Sequence, residues 1–162
     1  MVSTEDLRQI VILSVLPDAM LQKILPLVER KQFEEQQTIF SEGDTADKFY
    51  MLVRGKVLLQ QVISDKVAVS MDVIKPGFSF GWSAMLSGGM EPVGRYTSNA
   101  VCLEPCECML IDGDAFQALL DEDYSMGYLI SQRIIRIIKK RLVYRNRQFA
   151  RIIEKNPDLQ NG

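Results

Sequence analysis

The chain has 162 residues, 47% of them apolar and 25% charged, with a net charge of −2. That is enough chain for one domain with a real core, and the overall charge gives no signal for nucleic-acid binding. Histidine is absent, which removes the commonest neutral-pH base and the commonest metal ligand.

The cysteines are Cys102, Cys106 and Cys108. Cys106 and Cys108 would share one face of a strand, a geometry open to a metal pair, but buried core thiols in a reducing compartment are the better reading. Glu5, Asp6 and Arg8 precede any apolar run, which argues against a signal peptide. There is no apolar run of about 18 residues, so no membrane span is expected. The expected location is cytoplasmic.

TEDLRQIVI, residues 4–12, predicts a short helix capped by Ser3 or Thr4. A second helix opens at Pro17-Asp18, with Leu21, Ile24, Leu25 and Val28 on its apolar face. The period then changes. FEEQQTIF, 33–40, reads as a strand ending at the turn SEGD. FYMLVRGKVLLQQV, 49–62, reads as two strands broken at Arg54-Gly55, and VAVSMDVI, 67–74, as another. Pro76-Gly77 marks a turn, and NAVCLEPCECMLID, 99–112, gives two strands around Glu104-Pro105. Short strands at turn-rich intervals predict a mainly β fold with flanking helices, built as a small barrel or jelly roll.

From Gly113 the period is helical again. Asp112 and Asp114 are placed to cap the helix of DAFQALL, and a long helix follows from about Tyr124 to Glu154 without an internal proline. Tyr124, Tyr128, Ser131, Ile135, Ile138, Leu142, Arg145, Phe149 and Ile152 recur at alternating spacings of four and three, as a coiled-coil seam requires. A helix of about 30 residues is about 45 Å long, more than one small barrel covers. The expectation is a homodimer through this helix. Arg133, Arg136, Lys139, Lys140, Arg141, Arg145, Arg147 and Arg151 make the same segment basic, which suits an acidic protein partner. The organisation expected is a helical segment at 1–32, a barrel at 33–112 containing a distinctive stretch at 76–98, C-terminal helices at 113–155 and a flexible tail at 156–162.

These motifs resemble the cyclic nucleotide-binding domain family of catabolite-activator-type regulators and cyclic-nucleotide-dependent kinase regulatory domains. LPDAMLQKIL is similar to the family's N-terminal helix, IFSEGDTADKFYMLVRGKV to its strand–Gly-Asp–strand–Gly run, IKPGFSFGWSAML to the opening of its phosphate-binding cassette, and CECMLIDGDAFQALL to the last barrel strand and following helix. The resemblance covers roughly residues 10 to 150. It implies the double-stranded β-helix form of the jelly roll, followed by a long C-terminal helix.

The family cassette runs Phe-Gly-Glu, a short helix, then Arg and a small hydroxyl residue. Carried onto this chain, Phe80 and Gly81 match, and Trp82 stands where the ribose-binding glutamate is expected. Ser83 would present its hydroxyl and N–H at the short helix. Counted back from Cys106 without a gap, the family arginine falls on Tyr96 and the hydroxyl residue on Thr97, with Arg95 one position early. A one-residue slip in a strand turns a side chain to the opposite face. Gly88, Gly89, Pro92 and Gly94 allow local adjustment, and Glu91 is the nearby acid that would swing in to replace the missing glutamate. The candidate ligand-binding residues are therefore Phe80, Gly81, Trp82, Ser83, Arg95 and Thr97, with no metal and no catalytic residue. No histidine serves the serines and no Walker-type lysine loop is present, so no enzyme is expected.

The resemblance implies a regulatory or sensor module that binds cyclic AMP or a related cyclic nucleotide and signals through its C-terminal helix to a partner. The alternative is a degenerate dimerisation or interaction module that binds another anion or no ligand. Family regulators carry a helix-turn-helix after the long helix; here the sequence stops at Gly162, so nucleic-acid binding is not expected.

Overall fold

The computed structural model describes residues 1–85 and 94–156. Gly88, Gly89, Glu91, Pro92 and the tail from 157 onward lie outside the described residues.

The chain opens with helix α1 (Thr4–Arg8), held by a capping box in which Ser3 and Asp6 exchange side-chain and backbone hydrogen bonds. It is shorter than the expected 4–12, and its continuation to Leu16 is a series of turns that bury Ile10, Ile12, Leu13 and Leu16. Helix α2 (Asp18–Ile24) starts after Pro17, as the sequence indicates, and a 3-10 turn over Leu25–Leu27 leads into the strands.

The strands are β1 (Val28–Phe33), β2 (Thr38–Phe40), β3 (Lys48–Arg54), β4 (Val57–Ser64), β5 (Val67–Ile74), β6 (Ser79–Phe80), β7 (Asn99–Cys102) and β8 (Cys106–Asp112). The single strand read at 33–40 divides into β1 and β2 because the chain turns at Gln36, which has φ 64°. Helix α3 (Gly113–Glu122) is capped by Asp112, whose carboxylate accepts from the Ala115 N–H, and α4 (Tyr124–Lys155) by Asp123, which accepts from the Met126 N–H.

The expected closed barrel does not form. The strands make two separate antiparallel sheets of four, ordered β1-β8-β3-β6 and β2-β7-β4-β5. Among the described residues no ladder joins the edges of one sheet to the other. The edge strands β2 and β6 are only three and two residues long, too short to carry a ladder around a corner. The fold is also mixed α/β rather than mainly β, since helices hold more residues than strands.

The sheet holding β3 and β8 is buried on both faces, and strand alternation divides the core accordingly. Phe49, Met51, Met109 and Ile111 face the helices, joining Leu7, Leu13, Leu21, Phe116, Met126 and Ile130. Tyr50, Leu52, Cys108 and Leu110 face the second sheet, joining Phe40, Leu59, Ile74, Phe80 and Ala100. All three cysteines are buried and unbridged in this inter-sheet core. Burial pushes the Cys102 and Cys108 thiols above their ordinary range.

The turn between β3 and β4 requires glycine twice over, by its backbone angle and by a close approach. Gly55 turns β3 into β4 at φ 94°, and an added Cβ would lie 2.6 Å from Cys106 Sγ and 2.7 Å from the Pro105 carbonyl oxygen.

Candidate functional site

Helix α4 crosses β5 and stays attached to it through side chains. Arg141 Nε lies 3.1 Å from Asp72, and the Arg141 guanidinium sits 4.7 Å from the centre of the Trp82 ring. Burial lowers the guanidinium's pKa, and the Asp72 carboxylate opposes that. One turn on, Arg145 donates to the Met71 carbonyl at 2.8 Å and contacts Met71 Sδ at 3.3 Å. Between helix and strand lies a cleft of about 450 Å³. Leu59, Ile74, Phe78, Ile137 and Tyr144 give it apolar walls, while Lys75, Lys140, Arg141 and Arg145 outnumber the carboxylate of Asp72. Thr97 and Ser98 close one side.

The six candidate residues do not converge on this cleft. Thr97 alone lines it. Phe80 is core, its ring stacked 5.2 Å from Tyr50. Gly81 follows at φ 75°, where a Cβ would approach the Tyr50 ring at 3.0 Å and the Lys48 carbonyl oxygen at 3.1 Å. Trp82 and Ser83 begin a 3-10 turn over Trp82–Met85. The Trp82 indole donates to Ser79 Oγ at 3.0 Å, and its ring packs partly against the helix-side core. Trp82 does not line the cleft itself and meets it through Arg141. The Ser83 carbonyl comes so close to Gly94 that a Cβ there would lie 2.3 Å from its oxygen. Arg95 is exposed, and its Nη1 donates to the Gly43 carbonyl at 2.6 Å.

Tyr96, between Arg95 and Thr97, turns inward and is 4% exposed. Its ring stacks on Phe40 with centroids 3.7 Å apart, beside the Tyr50–Phe80 pair. Its hydroxyl donates to the Lys48 carbonyl at 2.8 Å and accepts from the Lys48 N–H at 3.1 Å. Burial, above all, raises its pKa. The position where the family resemblance expects an arginine aimed at phosphate thus carries a phenol that is fully paired within the protein.

Sequence reasoning missed the roles of Arg141 and Arg145, which it counted with the solvent-facing basic stripe and the coiled-coil seam. A signal was present: Ile137, Arg141, Tyr144 and Arg145 recur at three- and four-residue spacing and share a face. Nothing in the sequence said which strand that face would meet.

The family model of the cyclic nucleotide-binding domain matches residues 30–123. The chain belongs to the cyclic nucleotide-binding domain family. It is 36% identical over 108 residues to the global nitrogen regulator of Synechococcus elongatus, covering 67% of this chain and 47% of that protein. It is 24% identical over 121 residues to the CRP-like cAMP-activated global transcriptional regulator of Mycobacterium tuberculosis, covering 75% and 50% respectively. The chain spans about half the length of the curated relatives it matches. The crystal structure of a Geobacter metallireducens protein described as cyclic nucleotide-binding superposes with a TM-score of 0.74 at 25% identity, over 88% of this chain and 99% of that one. Members of this domain family are regulatory rather than catalytic units, and this chain is a non-enzymatic domain of that kind. No helix among the described residues is long and apolar enough to cross a membrane.

Proposed function

We propose that this cyclic nucleotide-binding-type domain is a sensor whose effector site is the cleft between β5 and α4 and whose output is the far half of α4. The attachment of α4 to β5 through Arg141 and Arg145 carries this reading. A ligand in the cleft touches the same helix that exposes Tyr128, Ile135, Ile138, Leu142, Phe149 and Ile152. So long an apolar stripe favours a second copy of the helix. A ligand that binds more tightly when α4 is docked shifts the helix population and hence self-association.

The coupling is testable without any ligand. Asp72→Ala releases Arg141 from β5, so the helix has more freedom to lose on pairing and self-association weakens. Sedimentation equilibrium is expected to show at least a threefold weaker dimerisation constant. An unchanged constant removes the coupling and the sensor reading with it.

Among ligands, the geometry favours an anion other than a cyclic nucleotide, because Tyr96 fills the expected phosphate-arginine position and Trp82 replaces the ribose glutamate. Cyclic AMP is the second reading, supported by Thr97 and Ser98 at the cleft wall. Titration calorimetry with cyclic AMP and cyclic GMP separates the two. Heat at micromolar nucleotide establishes the second reading, and none at millimolar nucleotide removes it. The exposed cations Arg136, Lys139 and Arg147 are open to an acidic partner, whose binding would weaken as salt shortens the Debye length.

A further inference from the structure

We infer that the cleft between β5 and α4 takes a hydrophobic carboxylic acid, with its hydrocarbon or aromatic body against Leu59, Ile74, Phe78 and Ile137 and its carboxylate among the rim cations. This rests on the cleft being the effector site and adds the ligand's chemistry.

The volume of about 450 Å³ falls in the range of small-molecule pockets, roughly 300–1,000 Å³. Its walls are mainly apolar, so a ligand dense in hydroxyls and amides would bury polar groups without partners, at about 1–3 kcal/mol each. The rim is not neutral. Asp72 is the lone carboxylate in the lining and is already paired with Arg141 at 3.1 Å. Arg145 hydrogen-bonds the uncharged carbonyl and sulfur of Met71. Among the described residues Lys75 and Lys140 make no ion pair. Cations therefore face the cleft from both walls, Lys75 just beyond β5 and Lys140 and Arg145 from α4, with no internal anion to match them. Apolar walls and surplus positive charge together select an amphipathic monoanion. A carboxylate also suits the planar donor fork of Arg145.

The probe is octanoate, with octanol as its uncharged counterpart, octylammonium as its cationic one, and cyclic AMP alongside. Binding is read by titration calorimetry on the full chain and by emission of Trp82, the single tryptophan, which lies under Arg141. Octanoate is expected to bind at least tenfold more tightly than octanol or octylammonium. The double variant Lys75→Met/Lys140→Met is expected to lose at least fivefold in octanoate affinity and none in octanol affinity. Arg145→Met provides a second test of the carboxylate contact, and thermal melts confirm that each variant is folded. Equal binding of octanoate and octanol overturns the proposal, as does a carboxylate preference that survives in both variants. Binding of cyclic AMP without octanoate, or of no probe, also overturns it. In those cases the Asp72→Ala dimerisation constant decides separately whether the effector-site reading stands.

Discussion

Tyr96 and Arg95 are adjacent, yet they occupy opposite environments. The chain runs through an isolated bridge between Arg95 and Thr45, and it buries Tyr96 in the inter-sheet core while leaving Arg95 exposed. Tyr96→Phe would strip the Lys48 carbonyl and N–H of their phenolic partner. The expected cost is about 1–3 kcal/mol, read as a lower urea midpoint at unchanged slope. Arg95→Ala should leave ligand affinity within twofold of wild type, because its guanidinium is engaged by Gly43 rather than by the cleft. A tenfold loss in calorimetry would return Arg95 to the site. Gly55→Ala meets both a positive φ and the Cys106 sulfur, and a loss of about 2–3 kcal/mol is expected, again by urea unfolding.

At the scale of elements, three helices owe their starts to carboxylates. Asp6 is held low chiefly by the Ser3 backbone N–H, Asp112 by the Ala115 N–H, and Asp123 by Lys23 and the Met126 N–H. A carboxylate whose folded pKa lies below its unfolded value, about 3.9, stabilises the fold above that value. The contribution is lost as pH falls through the folded pKa. Stability should therefore drop below about pH 4. Tyr50 and Tyr96 act at the other end. Burial raises both phenols, so their contribution is intact below about pH 10 and is lost as alkali ionises the unfolded chain first. With no histidine in the sequence, stability should be nearly flat from about pH 5.5 to 8. Thermal midpoints measured from about pH 3 to about pH 11 test all three limbs.

Helix α4 is the element with most left unpartnered. Ile138→Glu/Leu142→Glu places charge on two exposed seam positions, 49% and 57% accessible in the single chain. If the seam pairs helices, the double variant should be monomeric at tens of micromolar in sedimentation velocity, with its thermal midpoint little changed. A variant that stays dimeric places the contact on another face. Arg145 lies on the same repeat but reaches back to Met71, so the seam should loosen there.

For the whole molecule, the order of layers matters more than the content of any one. Helices cover one face of the sheet holding β3 and β8, the second sheet covers the other, and α4 runs on from the helical layer to reach β5 at the edge of the second sheet. A ligand in the cleft thus bridges the β4–β5 hairpin and the last helix, which are far apart in sequence. That separation predicts a readable coupling. Octanoate at saturating concentration should protect both β5 and the 137–145 segment of α4 in hydrogen exchange, and protection confined to one of them would break the link.

Much of this was legible in the chain itself, because local rules are written in local residues. The helix openings at Ser3, Pro17-Asp18 and Asp112, the turns at Gly55 and Glu104-Pro105, and the limits of β5 follow from capping chemistry, φ preference and period. The glycine framework and the Phe80-Gly81 pair were enough to identify the family. The sequence also showed that Trp82 and Tyr96 break the cassette pattern. It did not show what replaces it. That Tyr96 stacks on Phe40, from a strand more than fifty residues earlier, depends on how the two sheets face each other. Two open sheets and a closed barrel have the same alternation along each strand, and they differ only in which edges pair. In the same way, a basic residue on a helix reads alike whether it meets solvent or β5. Only the packing of α4 separated Arg141 and Arg145 from their neighbours, since side-chain partners distant in sequence are chosen by the geometry of the assembled layers.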